Sequence, residues 1–252
     1  MGGRSAETRV LIVDDDVIMG ELLSALMTAE GYSVAHAGSG EEALRLLQKD
    51  GKNPDVILCD IHMPGMRGGE LAAVLLAARA EGTLPANTVL LAMSGSAPLS
   101  EDSRSFDGFL SKPFTIADFA EAVASARSGR PISFAPAESG EASGAAHPSL
   151  DDKIFEQLRS KIGGDSLRQL YEMTLEDVRA RLGRMATAAS SGDEPTVRHE
   201  AHTIKGSCGM VGALELQALA AATEGGSPVD TSALAVFDSA CQRLQRMLDE
   251  RL

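Results

Sequence analysis

The sequence predicts two domains of different class: an α/β domain on a doubly wound, five-stranded parallel sheet, then an all-α domain, an antiparallel helical bundle. Three observations carry this reading. A chain of 252 residues is long for one domain and comfortable for two, each with its own core. Up to residue 127, short apolar runs alternate with helical patterns, which is repeated βαβ. From Leu150 onward every segment has helical periodicity instead.

In order, RVLIV, YSVAHA, DVILC, TVLLAM and GFLS read as strands, because they are brief and rich in apolar or β-branched residues. Between them VIMGELLSALMTAEG, EEALRLLQKD and GELAAVLLAARAEG read as helices. Strands that are apolar throughout belong to a sheet covered on both faces. Residues 128–149, SGRPISFAPAESGEASGAAHPS, have turn-forming composition and little periodicity and read as a flexible linker. As coil it would span about 25 Å end to end and hold the domains near millimolar effective concentration. Residues 150–252 then supply five helical patterns joined by short loops, which implies antiparallel neighbours. The expected domains are therefore 1–127, the linker 128–149 and 150–252.

Composition narrows the function. The net charge is −13, and both halves are acidic, so neither offers the positive field that a phosphate backbone needs. With no Trp and two Tyr there is no stacking platform for bases. Nucleic acid is not an expected partner. The opening MGGRSAETRVLIV has too few consecutive apolar residues for a signal-peptide core, Ala6 breaks a myristoylation pattern, and no stretch is long enough for a bilayer. Cys59, Cys208 and Cys241 are odd in number, widely spaced and set in apolar segments, which fits a reducing compartment. The expectation is a cytoplasmic protein without a membrane partner.

The chemistry-bearing residues of the first half sit where the strands end. Asp14, Asp15 and Asp16 follow the first strand, Asp60 closes the third, Ser94 the fourth, and Lys112 follows the fifth. Open α/β sheets bind ligands at the carboxyl ends of their strands. Converging carboxylates repel one another unless a cation joins them, and hard oxygen donors suit Mg²⁺. A lysine and a hydroxyl beside such a cluster make sense if a carboxylate, Asp60, accepts a phosphoryl group. Asp16 has no part in this and reads as the cap of the next helix.

The set VDDD, DIHMPGM, Ser94 and KPF, over roughly residues 8–127, resembles the receiver domain of two-component response regulators. The resemblance implies a flavodoxin-like fold, Asp60 as phospho-acceptor, Asp15 as a direct Mg²⁺ ligand and Asp14 as a ligand through water. It also implies that His62 binds the metal through its backbone carbonyl, that Ser94 and Phe109 form the phosphorylation switch, and that Lys112 contacts the phosphate. One departure is visible: only 17 residues separate Ser94 from Lys112, so the family's fourth helix is expected to be short or frayed.

In the second half, residues 200–209 read EAHTIKGSCG. Val197, Ala201, Ile204, Cys208 and Val211 form an apolar stripe at period 3.6. His202 lies about 140° from that stripe and is expected to face solvent, with Arg198, Lys205 and Gly209 on its side. A neutral imidazole can attack an acyl phosphate while the two cations hold the phosphoryl oxygens. Gly206 and Gly209, each costly in a helix, are expected to leave room for a partner's loops. His199 and His202 could begin a zinc site, but the pattern places no third ligand. The stretch AHTIKGSCGMVGA resembles the histidine-phosphotransfer (HPt) domain, which implies His202 as phospho-acceptor, Lys205 as its charge partner and Gly206 as the small residue beside it.

Together these expectations describe a phosphorelay intermediate. A sensor histidine kinase charges Asp60, and His202 passes phosphoryl groups to or from a receiver aspartate, its own or another protein's. No glycine-rich ATP loop with its lysine is present, so the chain is read as a phosphotransfer protein and not a kinase, without a small-molecule substrate. The alternative is an interaction scaffold whose docking is gated by receiver phosphorylation. A metal-dependent hydrolase lacks a substrate-pocket signal.

Overall fold

In the computed structural model, residues 8–49, 53–95, 105–129 and 149–252 are described. The chain divides into two compact units, Met1–Ala137 and Glu138–Leu252. In the first, β1 (Arg9–Val13), β2 (Ser33–Ala37), β3 (Val56–Asp60), β4 (Val89–Ser94) and β5 (Gly108–Ser111) form one parallel sheet in the order β2-β1-β3-β4-β5. The helices between and after them are α1 (Val17–Ala29), α2 (Gly40–Lys49), α3 (Gly68–Ala80) and α4 (Ile116–Arg127). This is the doubly wound flavodoxin-like order, with the crossover from β1 to β3 marking the switch point where such sheets bind ligands.

The reason is visible in the strands. All residues of β3 and β4 are buried, as a sheet with helices on both faces requires. Leu11, Val13, Ile57, Cys59 and Leu90 pack on one face with Leu71 and Leu75 of α3. Edge strand β2 alternates between exposed and more buried positions. The short fourth helix expected between Ser94 and Lys112 falls mainly on residues 96–104, outside the described residues; α4 here follows β5. Most of the expected linker 128–149 also lies outside them.

The second unit contains α5 (Asp152–Ile162), α6 (Gly164–Ser191), α7 (Glu194–Met210), α8 (Leu214–Glu224) and α9 (Thr231–Arg251). Helices α7 and α9 each pack against α6 and α8, and α5 packs on α6. Their starts follow local chemistry: Asp151, Asp193 and Asp230 each accept hydrogen bonds from the first-turn amides, and Pro195 sits in the opening turn of α7, where its missing N–H is no loss. The core is built from Phe155, Leu167, Tyr171, Leu175, Ile204, Phe237 and Leu244. Among the described residues no helix is long and apolar enough to cross a membrane.

Candidate functional site

The register of the sheet builds the first site. Val13 of β1 lies opposite Cys59 of β3, so the next residues, Asp14 and Asp60, end adjacent strands at the same rim. Ser94 ends β4 there, and Lys112 follows Ser111 of β5. The buried ammonium of Lys112 bridges the two carboxylates, at 2.8 Å from Asp14 Oδ2 and 2.7 Å from Asp60 Oδ2.

Backbone amides hold the remaining oxygens. Asp14 Oδ1 accepts from the Asp16 amide and Asp60 Oδ1 from the His62 amide, both at 2.9 Å. Asp16 caps α1 by accepting from the Ile18 and Met19 amides, as its position after the aspartate pair predicted. His36 Nε2 donates to the Asp14 carbonyl at 2.9 Å, and the ring fits because residue 20 is glycine: a Cβ there would lie 2.3 Å from the imidazole.

Two carboxylates share one ammonium in a buried site, which leaves negative charge in excess. Burial, partly countered by Lys112 and reinforced by Asp60 and Asp16, pushes the Asp14 carboxyl up to about 7. Burial would depress the Lys112 amine, but the two carboxylates outweigh it and hold that pKa above the usual lysine value.

Where a cation is expected among Asp14, Asp15 and Asp60, the Lys112 ammonium joins two of the carboxylates. Among the described residues no three His, Cys, Asp or Glu side chains are grouped to hold a metal ion. The Lys112 ammonium joins Asp14 to Asp60 and supplies the positive charge itself. The excess negative charge and the all-oxygen donor set of Asp14, Asp15 and Asp60 nevertheless fit a hard divalent cation such as Mg²⁺.

Ser94 is fully buried, and its carbonyl accepts from the Lys112 amide at 2.7 Å. Phe109 packs with Ile61 and Ala92, which ties it to the residue directly after Asp60. The His62 side chain is on the surface. Sequence reasoning missed Gly68 at the start of α3. A Cβ there would come 2.4 Å from the Asp60 carbonyl oxygen and 2.8 Å from Ile61 Cα, so only glycine lets α3 begin against the acceptor strand. The signal was the GG pair opening that helix.

The second site is on α7 and differs from the expectation in two ways. His202 is mostly covered, with 12% of its side chain exposed, and its Nδ1 lies 2.7 Å from Glu224 Oε1 at the end of α8. The expected stripe is buried at Ala201, Ile204, Cys208 and Val211, but Glu200, Thr203, Gly206, Ser207, Gly209 and Met210 are buried as well, because α7 is covered by α6 on one side and α8 on another.

The surroundings of the two glycines can be placed. Gly206 is buried, and a Cβ on Gly209 would lie 2.7 Å from Nε2 of the Gln217 side chain, so Gly209 faces α8.

Lys205 Nζ binds Glu224 Oε2 at 2.5 Å, so one carboxylate holds both the imidazole and the ammonium. Burial opposes the charged form of Glu224, but the bonds from His202 and Lys205 prevail and hold its carboxyl down at about 2. Arg198 is exposed and reaches Glu194 at 3.9 Å. Glu224 was invisible to sequence reasoning, being 22 residues from His202 on another helix.

A neighbouring charge cluster fixes α7 to α6. Glu200 accepts from Arg181 at 3.0 Å and Arg184 at 2.6 Å, and Arg181 also binds Asp177.

Comparison with known proteins agrees with this division. Residues 10–124 match the response regulator receiver domain, and residues 169–251 match the Hpt domain. The chain is 35% identical over 172 residues to the positive alginate biosynthesis regulatory protein of Pseudomonas aeruginosa, covering 67% of this chain and 63% of that protein. It is 24% identical over 213 residues to the sensory/regulatory protein RpfC of Xanthomonas campestris pv. campestris, covering 83% of this chain but 29% of that protein. Vibrio cholerae chemotaxis protein CheY4 aligns at 29% identity and a TM-score of 0.41, over 47% of this chain and 98% of its own. The chain thus spans less than two thirds of the length of either curated relative.

Proposed function

From a chain that carries a response regulator receiver domain and an Hpt domain in one polypeptide, we propose a phosphorelay intermediate with Asp60 and His202 as its two phospho-acceptors. The observation that carries this reading is the buried Lys112 ammonium clamped between Asp60 and Asp14 at the ligand-binding rim of the sheet. An amine so placed neutralises oxygens on a group bound to Asp60 without being rebuilt for the reaction.

Asp60 is the nucleophile, oriented by the His62 amide. Its carboxylate oxygen attacks the phosphorus of a phosphohistidine on a sensor histidine kinase, and the P–N bond breaks with its electrons returning to the imidazole. Mg²⁺, when bound, offsets charge on the phosphoryl oxygens. Asp14, Asp15 and the His62 carbonyl are its proposed ligands together with Asp60. Ser94 and Phe109 respond to the phosphoryl group, Ser94 from its place at the rim and Phe109 through its packing on Ile61.

On the bundle, His202 exchanges the group with a receiver aspartate, while Lys205 serves the phosphoryl oxygens. The proposed donors are protein partners, a sensor histidine kinase for Asp60 and a phosphorylated receiver for His202. The test is to supply acetyl phosphate and Mg²⁺ to wild type, Asp60→Ala and His202→Ala, and to separate label by its stability. Base-labile label lost in Asp60→Ala, together with acid-labile, base-stable label lost in His202→Ala, is the expected result. Label confined to Asp60, with none reaching His202 even from phosphorylated partner receivers, would favour a scaffold gated by the receiver.

A further inference from the structure

The Asp14 carbonyl sits where the ladder between β1 and β2 runs out. The Asp14 amide still donates to the Ala37 carbonyl at 3.1 Å, one step beyond the paired residues Val13 and Ala37. In a parallel ladder the next donor, to the Asp14 carbonyl, would come from residue 39, but β2 ends at Ala37 and α2 begins at Gly40. The donor that reaches this carbonyl is a side chain, His36 Nε2 at 2.9 Å. A carbonyl can only accept, so Nε2 carries the ring proton. The half-buried ring lies against Gly20 of α1, where a Cβ would overlap the imidazole, 2.5 Å from Cε1 and 2.6 Å from Cδ2.

We propose that His36, seated on Gly20, is a positioning residue for the divalent-cation site at the rim. The proposal deepens, and rests on, the reading of Asp14 and Asp15 as Mg²⁺ ligands. The Asp14 carbonyl and the Asp15 amide belong to one planar peptide, so a bond to the carbonyl sets the tilt of that plane. The tilt in turn sets the directions in which the two carboxylates leave the chain. Three bonds then fix the turn: the Asp14 amide to the Ala37 carbonyl, the Asp16 amide to Asp14 Oδ1 at 2.9 Å, and His36 to the Asp14 carbonyl. The first two hold Asp14 by its amide and its carboxylate, and the third grips the peptide that leads to Asp15. Mg²⁺ demands near-ideal octahedral geometry, so a tilted donor pair costs affinity.

The ring can be removed or displaced, which tests the proposal from two sides. His36→Ala deletes the donor, and His36→Gln replaces it with an amide that can still donate. Gly20→Ala keeps the histidine but pushes its ring off the carbonyl. That clash is with a side chain, and alanine favours a helix, so the Gly20→Ala chain still folds. Isothermal titration of the full chain with Mg²⁺ reads the affinity. The ¹⁵N shift of the Asp15 amide in metal-free chain reads the peptide tilt, and the Mg²⁺ dependence of Asp60 labelling by acetyl phosphate separates metal binding from chemistry.

His36→Ala and Gly20→Ala should each weaken Mg²⁺ binding by about ten-fold, the lower end of the loss when an outer partner of a metal site is removed. Both should also shift the Asp15 amide in metal-free chain. The double variant Gly20→Ala/His36→Ala should bind no worse than His36→Ala alone, because the added methyl has no ring left to displace. His36→Gln should recover most of the affinity, and saturating Mg²⁺ should restore the Asp60 labelling rate in every variant. Affinity and Asp15 shift unmoved in His36→Ala, losses that add in the double variant, or a labelling deficit that saturating Mg²⁺ does not repair would overturn the role of His36 alone. A wild-type chain that binds no Mg²⁺ would instead overturn the reading of the aspartates as its ligands.

Discussion

Gly68→Ala is the sharpest perturbation of the acceptor strand. A methyl group at this position would begin 2.4 Å from the Asp60 carbonyl oxygen and 2.8 Å from Ile61 Cα, both backbone atoms. An ordinary contact needs about 3.4 Å, so α3 and the end of β3 must separate by about 1 Å. No side chain can rotate away to absorb it. Overpacking of this kind costs about 1–3 kcal/mol, more than the roughly 1 kcal/mol that alanine gains over glycine in a helix. The same shift moves Asp60 against Lys112, and a misplacement of about 1 Å is worth about a hundred-fold in rate. Urea unfolding and the initial rate of Asp60 labelling by acetyl phosphate measure the two effects. The control is Gly183→Ala in α6, where a Cβ meets nothing within 4 Å and should stabilise by about 0.5–1 kcal/mol. A Gly68→Ala chain with wild-type stability and labelling rate would refute the reasoning.

The bundle yields three further expectations. Tyr171→Phe removes the hydroxyl that donates to the Val211 carbonyl at 2.6 Å and strands that buried acceptor, so thermal unfolding should register a loss of about 1–3 kcal/mol. Gly209→Ala should be near neutral in wild type, where the new methyl displaces the end of Gln217, but stabilising by about 1 kcal/mol in a Gln217→Ala background, a coupling that a double-mutant cycle reads directly. Glu200 has its carboxyl held below the usual value because, although burial opposes it, the Arg184 and Arg181 guanidiniums prevail. A depressed folded pKa means that its stabilisation is complete above the unfolded value of about 4.3 and is lost as pH falls through the folded value. Glu200→Gln should therefore cost about 3 kcal/mol near neutrality, with the difference from wild type shrinking below about pH 4 in acid-unfolding curves.

The receiver-like half was legible because its signals are local. Apolar strands end in polar residues, and register alone then brings Asp14 beside Asp60. Asp16 was readable as a cap because capping depends on the next three residues. The bridging position of Lys112 was not, since a cluster of carboxylates in sequence does not say whether an ammonium will lie between them. On α7 the helical wheel gave the Ile204 stripe and overstated the exposure of His202, which is only partly exposed. Its second buried face is made of Thr203, Gly206, Ser207 and Gly209, small or polar residues that carry no apolar signal. Glu224 and Gln217 come from α8, and only tertiary packing brings them to His202 and Gly209.

The central claim is that one chain carries phosphorus on two different atoms, an aspartate oxygen and a histidine nitrogen. Site-resolved ³¹P NMR of the full chain, charged with acetyl phosphate and Mg²⁺ and then mixed with a phosphorylated partner receiver, tests it most directly. The account predicts an acyl-phosphate resonance that disappears in Asp60→Ala and a phosphoramidate resonance that disappears in His202→Ala. A chain that shows the first and never the second would contradict it.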